Sequence, residues 1–145
     1  MGYYSSQTNK LNSFQLILTD RSDTGAGNFD FQFNYDKILW ETGGASGGTN
    51  GLGGNSARAG WSNGISASLE LPGSAVNGGL LDSNATTGLI HNSLNSNIAG
   101  QYNFQVRNGQ VVTVPVVTVP EPASLALIGI GLVGLGAARR RKQTT

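Results

Sequence analysis

Val119-Pro120-Glu121-Pro122, an uncharged run from Ala123 to Ala138, and the cations Arg139, Arg140, Arg141 and Lys142 follow one another at the C-terminal end of the chain. A rigid polar motif, an apolar run and a basic cluster in this order read as an address label at a membrane. Pro120 and Pro122 fix φ and donate no backbone hydrogen bond, so the motif around Glu121 stays extended and accessible. The run that follows carries one hydroxyl, Ser124, and no charge. A helix over about 123–138 can therefore enter a bilayer with its backbone satisfied. It would span roughly 24 Å, a little under the usual hydrocarbon thickness. Four consecutive cations resist transfer through hydrocarbon and stay cytoplasmic, which leaves the body of the chain outside.

Other candidate chemistry is thin. His91 is the single histidine, and a nucleophilic triad would need it beside a serine on a sharp turn and an orienting carboxylate. Ser93 and Asp82 are near it in sequence, but no Gly-x-Ser-x-Gly elbow is present. His91 reads as a loop or sheet-edge residue. Asp20, Asp23 and Asp30 are weak candidates for calcium ligands, because their spacing departs from the acidic EF-hand loop. The favoured reading makes them loop carboxylates that close Asx-turns. Trp40, Trp61, Tyr35 and Tyr102 could stack on sugars, but their alternating positions place most of them in the core. The absence of cysteine removes disulfides, thiolate metal sites and a cysteine nucleophile. No cofactor is expected, and the chain reads as non-enzymatic.

The formal net charge of +1 conceals a division, since four of the nine basic residues lie in the tail. Residues 1–138 hold five basic against eight acidic side chains, a net of −3. No basic stripe tracks phosphates, so nucleic acid is not an expected partner. Twenty-two glycines, with many Asn, Ser and Thr, point to a β-rich, turn-rich extracellular domain.

The elements that must position these residues follow from period-two patterning. Phe14, Leu16 and Leu18 alternate within Leu11 to Thr19, which predicts a mostly buried strand. Phe29, Phe31, Phe33 and Tyr35 face one way, with Asp30, Gln32, Asn34 and Asp36 opposite, as in an antiparallel sheet with one wet face. Ile38 and Trp40 switch parity, which predicts a bulge near Asp36-Lys37. Thr42 to Asn55 is low-complexity and is expected as a mobile surface loop. Short strands are expected around Ala57-Ala59-Trp61 and Ile65-Ala67-Leu69-Leu71. Tyr102, Phe104 and Val106 form the last strong strand, and Asn108-Gly109 signals a type I′ hairpin. Val111 to Val119 is β-branched but interrupted by Pro115, so it reads as an edge strand or an extended stalk.

Two family resemblances rest on these residues. Pro120-Glu121-Pro122, the apolar run and the basic cluster resemble the PEP-CTERM sorting signal, the substrate tag of the membrane protease-transpeptidases called exosortases. The resemblance implies export, a precursor anchored in the inner membrane through the helix with its C-terminus cytoplasmic, then cleavage near the motif and transfer to the surface or release. The second resemblance is carried by Asn12 to Asp20, Phe31 to Gly43, Ala59 to Gly64, Leu71 to Ser74, Ser93 to Asn97 and Gly100 to Val106, in that order. This series is similar to the C-terminal two-thirds of a nidogen-like (NIDO) extracellular domain, a family associated with matrix and adhesion proteins. Trp61 stands where the family often has Phe, and Gln101 where it often has Arg. The family's opening strands and an N-terminal signal peptide are missing, which implies a form truncated at its N-terminus.

The expectation is a mainly β, antiparallel sheet or sandwich-like domain with a single C-terminal transmembrane helix. Residues 1–110 form the nidogen-like domain, 111–119 a linker or edge strand, and 120–145 the sorting and anchor segment, with its basic stop at 139–142. Exosortase, the membrane, and extracellular polysaccharide or matrix proteins are the expected partners. Two other readings stand beside this one. The chain could be a permanently membrane-anchored binding module that is never processed, or a secreted glycan-acting enzyme, which would need paired carboxylates across a cleft.

Overall fold

The computed structural model describes residues 2–112. Seven strands form there: β1 (Gly2–Tyr4), β2 (Gln7–Asp20), β3 (Phe29–Ile38), β4 (Gly60–Ser62), β5 (Ser68–Glu70), β6 (Gln101–Arg107) and β7 (Gln110–Val112). Five of them make one antiparallel sheet in the order β1-β2-β3-β6-β7, and β4 pairs with β5 separately. The fold is mainly β. No α-helix occurs among the described residues, and none there is long and apolar enough to cross a membrane.

Register turns the alternation of each strand into two contrasting faces, because residues directly opposite one another share a face. On one face, Leu16 lies opposite Phe33 and Phe33 opposite Tyr102; in the next row Leu18, Phe31 and Phe104 line up. Phe31 stacks on Phe104 with centroids 4.7 Å apart, and Phe33 meets Phe104 edge-on at 5.9 Å. Ser13 pairs with Lys37 but Phe14 pairs with Tyr35, so Asp36 is the extra residue of a bulge, where the parity switch placed it. Asn108 and Gly109 both have positive φ, 52° and 74°, and join Arg107 to Gln110 in the primed turn that twisted strands prefer.

A layer of turns, rather than a second full sheet, covers this aromatic face. Leu71, Leu80, Leu81 and Leu89 are buried against Phe31, Tyr102, Phe104 and Val106, with Trp61 and Leu69 packed beside them. Hydrogen bonds hold the layer in place of a ladder. Glu41 accepts from the N–H of Gly78 at 2.6 Å and of Leu80 at 3.3 Å, and Asn84 accepts from the N–H groups of Thr86 and Thr87 at 3.0 Å.

Coverage stops short of β2, which corrects the expectation of a mostly buried Leu11–Thr19 strand. Phe14, Leu16 and Leu18 are 64%, 54% and 65% exposed although they share the face of Phe31 and Phe33. The covering turns rest on β3 and β6 and leave this outer row open. Ile65 also departs from its expected place in a strand. It sits in a turn fastened by Asn63, whose Oδ1 accepts from the N–H groups of Ile65, Ser66 and Ala67, and β5 begins only at Ser68.

The run from Thr42 to Asn55 is folded on itself. A 3-10 turn spans Gly44–Ser46, and the N–H groups of Glu41 and Thr42 both donate to the Gly51 carbonyl at 3.0 Å. Gly51 has φ +87°, and a Cβ there would come within 2.6 Å of the Trp40 Cβ, so no larger residue fits without rearrangement.

Buried Tyr102 ties the sheet to the turn layer, its hydroxyl donating to the Leu89 carbonyl at 3.0 Å. Burial pushes the Tyr102 phenol up to about 12, with Tyr35 adding to the shift, and burial also raises Tyr35. The folded state thus holds these protons more tightly than an unfolded chain, whose tyrosines titrate near pH ~10. That contribution is intact below pH ~10 and is lost as pH rises through about 12. The thermal midpoint is expected to hold steady up to pH ~10 and then fall as the raised tyrosines ionise, the fall being smaller in Tyr102→Phe. Thermal scans alongside tyrosinate absorbance check this; a wild-type midpoint unchanged through that window contradicts it.

Candidate binding face

The opposite face of the sheet is lined with amides. Across it run three rows: Gln15, Asn34 and Gln101; Ile17, Gln32 and Asn103; Thr19, Asp30 and Gln105. Alternation requires this, since every residue between the aromatics of β3 and β6 points away from the core. The amides engage one another. Asn34 Nδ2 donates to Gln15 Oε1 at 3.4 Å, Gln101 Nε2 to Asn34 Oδ1 at 3.4 Å, and Asn103 Nδ2 to Gln101 Oε1 at 3.3 Å. Gln32 Nε2 donates to Asn34 Oδ1 at 2.5 Å. Asn103 also donates to the Asn95 carbonyl at 3.1 Å, while Asn95 Nδ2 donates back to the Asn103 carbonyl at 2.8 Å. A depression of about 250 Å³ opens among Thr19, Asp30, Gln32, Asn103 and Gln105. Each amide offers donors and an acceptor without charge, which is what hydroxyl-rich or amide-bearing polymers can use.

Of the acidic candidates only Asp30 lies in a row of this face, and arginines take Asp30 and Asp23. Arg21 Nη1 lies 2.8 Å from Asp30 Oδ2 and Arg107 Nη2 lies 2.7 Å from Asp30 Oδ1, so Asp30 is held between two guanidinium groups. Arg21 Nε also meets Asp23 Oδ1 at 3.1 Å. The hydrogen bond from Arg21 holds Asp23 below the usual carboxylate range, and the arginine itself is raised by Asp23 and Asp30. Asp20 accepts from the Ser22 N–H at 2.9 Å and from its hydroxyl at 3.0 Å, the geometry of an Asx-turn. Among the described residues no group of three or more His, Cys, Asp or Glu comes together at metal-binding distances.

His91 is exposed, with Nε2 2.7 Å from the Asp82 carbonyl oxygen. The Asp82 carboxylate is occupied elsewhere, accepting from the Ile38 N–H at 2.7 Å, and Ser93 Oγ donates to the Ser96 carbonyl. These residues do not assemble as nucleophile, base and orienter. The aromatic candidates lie on the core side. Tyr35 and Tyr102 meet edge-on at 5.6 Å, Trp61 packs against Phe104 at 6.4 Å, and Trp40 packs against Tyr4 at 6.0 Å. Gln15, Gln101, Asn103 and Gln105 were not among the binding candidates that sequence reasoning offered, Gln101 entering only as a departure from the family pattern. Their alternation with aromatics was the available signal, but only register places the three strands' amides in common rows. Val119, Pro120, Glu121 and Pro122, the helix expected over 123–138, and Arg139 to Lys142 lie outside the described residues.

Comparison with known proteins agrees with both resemblances. The model of the nidogen-like domain matches residues 1–108, and that of the PEP-CTERM protein-sorting motif matches residues 118–142. The chain belongs to the nidogen-like domain family, and it carries a sorting motif of exported proteins. Alpha-tectorin of Gallus gallus is 36% identical over 135 residues, covering 88% of this chain and 5% of its own. The alpha-tectorins of Mus musculus and Homo sapiens are each 36% identical over 117 residues, covering 75% of this chain and 5% of theirs. The chain thus spans about 5% of the length of these curated relatives. No solved structure matches it.

Proposed function

We propose that this chain is a non-enzymatic cell-surface or matrix protein. Its β domain makes adhesive contacts with extracellular polysaccharide or neighbouring matrix proteins, and its C-terminal segment is anchored through residues 123–138 and processed by an exosortase near Pro120-Glu121-Pro122. The observation that carries the contact reading is the uncharged amide array of Gln15, Gln32, Asn34, Gln101, Asn103 and Gln105 on one sheet face. Such an array forms many weak neutral hydrogen bonds, and affinity then grows by repetition along a polymer. With a net charge of only −3 before residue 139, long-range steering is small, so the association depends little on salt. The sorting reading draws support from the match over residues 118–142 in a chain whose remainder is a nidogen-like domain.

The test uses the full chain exported in a Gram-negative host that carries an exosortase. Wild type is expected in the surface or released fraction, and a variant with Pro120, Glu121 and Pro122 all changed to alanine in the inner membrane; equal release of the two sinks the processing reading. For the contact face, Gln32→Glu with Gln101→Glu removes donors and adds charge. Retention on the host's own exopolysaccharide is expected to fall about tenfold or more, while His91→Ala leaves it unchanged. Undiminished retention in the double variant removes the amide face from the reading.

A further inference from the structure

Four Asn-Gly pairs occur in the chain: Asn50-Gly51, Asn63-Gly64, Asn77-Gly78 and Asn108-Gly109. Glycine has no side chain to shield its own nitrogen, so the Gly nitrogen of such a pair can attack the asparagine Cγ. To reach it, the peptide between the two residues must swing out of the turn it makes. At three pairs hydrogen bonds restrain that swing. The Asn50 carbonyl accepts from Lys10 Nζ at 2.5 Å, and the Gly51 carbonyl holds the N–H groups of Glu41 and Thr42. The Gly64 N–H donates to Ser62 Oγ at 3.0 Å, while Asn63 Oδ1 accepts from the N–H groups of Ile65, Ser66 and Ala67. The Gly78 N–H donates to Glu41 Oε1 at 2.6 Å, and Asn77 Oδ1 accepts from the Gly53 N–H at 2.7 Å. Asn108-Gly109 differs. Both residues are exposed, and among the described residues no hydrogen bond reaches the Asn108 side chain, the Asn108 carbonyl or the Gly109 N–H. The Asn108 N–H donates to Asn28 Oδ1 at 2.9 Å, which fixes the preceding peptide and leaves the next one free to turn.

We propose that Asn108 is a site of spontaneous, one-way modification, deamidation through a cyclic imide, and that the isoaspartate product releases β7 from the sheet. This goes beyond the contact and sorting functions proposed above and does not depend on them. In the first step the Gly109 nitrogen loses its proton and bonds to Asn108 Cγ; the Cγ–Nδ2 bond breaks, and Nδ2 leaves as ammonia with that proton. Water then opens the imide. Opening at Cγ gives an aspartate, and opening at the main-chain carbonyl gives an isoaspartate, whose chain runs through the former side chain. Both products carry a new negative charge, and the isoaspartate also adds one carbon to the backbone. The turn it interrupts is short: Asn108 and Gly109, with φ of 52° and 74°, join Arg107 directly to Gln110. Turn geometry and loop length set the register of a hairpin, so an added backbone atom displaces it. β7 pairs with β6 only over Gln110, Val111 and Val112, which leaves little else to hold it.

The experiment incubates the full chain, kept soluble in mild detergent, at mildly alkaline pH beside a second sample held in urea. Digestion and mass spectrometry then follow conversion at all four asparagines. In the folded chain Asn108 is expected to convert about tenfold or more faster than Asn50, Asn63 and Asn77, because those pairs react only after local opening. In urea the four rates are expected to draw together. Comparable rates in the folded chain overturn the proposal. So does the same spread persisting in urea, which would place the difference in local sequence rather than in the fold. Release of β7 is read by hydrogen exchange in the isoaspartate fraction and in Asn108→Asp, which carries the charge without the added carbon. The β7 amides are expected to exchange about tenfold or more faster in the isoaspartate fraction, and much less so in Asn108→Asp. Protection of β3 amides in every folded sample shows that the rest of the sheet stands. Unchanged β7 protection in the isoaspartate fraction overturns the release of the strand.

Discussion

Replacing Phe104 by alanine is expected to cost about 3–5 kcal/mol, the usual loss for a buried phenylalanine whose site cannot collapse. Phe104 is 3% exposed and touches three rings on two other elements: Phe31 and Phe33 on β3 and Trp61 on β4. Its removal therefore opens the contact between the sheet and the turn layer, and not merely one row of the ladder. A domain of this size is stable by only ~5–15 kcal/mol, so Phe104→Ala should leave a small stability margin or none. Phe104→Leu keeps most of the volume and is expected to lose clearly less. Urea titration followed by tryptophan fluorescence checks both, since Trp61 reports on the affected contact. A loss under about 1 kcal/mol for the alanine variant would mean that the turn layer does not pack on β6 as described.

Asn12→Ala is expected to be the costliest polar substitution in the domain, at about 2–4 kcal/mol. Asn12 is 8% exposed and sits where β2, β3 and the following loop meet. Its Nδ2 donates to the Trp40 carbonyl at 2.8 Å, and its Oδ1 accepts from the N–H groups of Leu39 at 2.8 Å and Trp40 at 3.3 Å. The chain leaves β3 just after the Asp36 bulge and has no ladder there to satisfy those groups; one amide replaces it. Alanine strands three backbone groups in a place water reaches poorly, and the penalty for unsatisfied groups exceeds the worth of the bonds themselves. Asn12→Asp keeps an acceptor but sets a carboxylate oxygen against the Trp40 carbonyl, so it is expected to be no milder than about 2 kcal/mol. The same urea titration decides this, and an aspartate variant as stable as wild type would refute the bracket.

Much of the sheet was legible because its information is local. Alternation in Phe29 to Tyr35 and in Tyr102 to Val106 marks strands with one apolar face, since successive side chains must point to opposite sides. The break in parity between Tyr35 and Ile38 located the bulge, and Asn108-Gly109 located the hairpin, because few residues adopt positive φ at both turn positions. The resemblance at Pro120-Glu121-Pro122 was equally local, carried by the order of a rigid motif, an apolar run and a basic cluster.

What remained illegible depends on which segments come together. Phe14, Leu16 and Leu18 carry the same pattern as Phe31 and Phe33, and nothing within β2 says that the covering turns end before reaching it. Whether an alternating strand is buried is decided by its neighbours, not by its own sequence. Leu80, Leu81 and Leu89 lie among turn residues with no period at all, yet they roof the sheet because Glu41 and Asn84 bind the backbone around them. Gln15, Asn34 and Gln101 form one row although they are far apart in the chain, and only the pairing of β2 with β3 and of β3 with β6 aligns them. Sequence alone determined the alternation of β3 and β6, the bulge at Asp36, the turn between β6 and β7 and the resemblance to a sorting motif. Tertiary structure decided which faces are covered, because burial and register are properties of pairs of segments and are written in neither member of the pair.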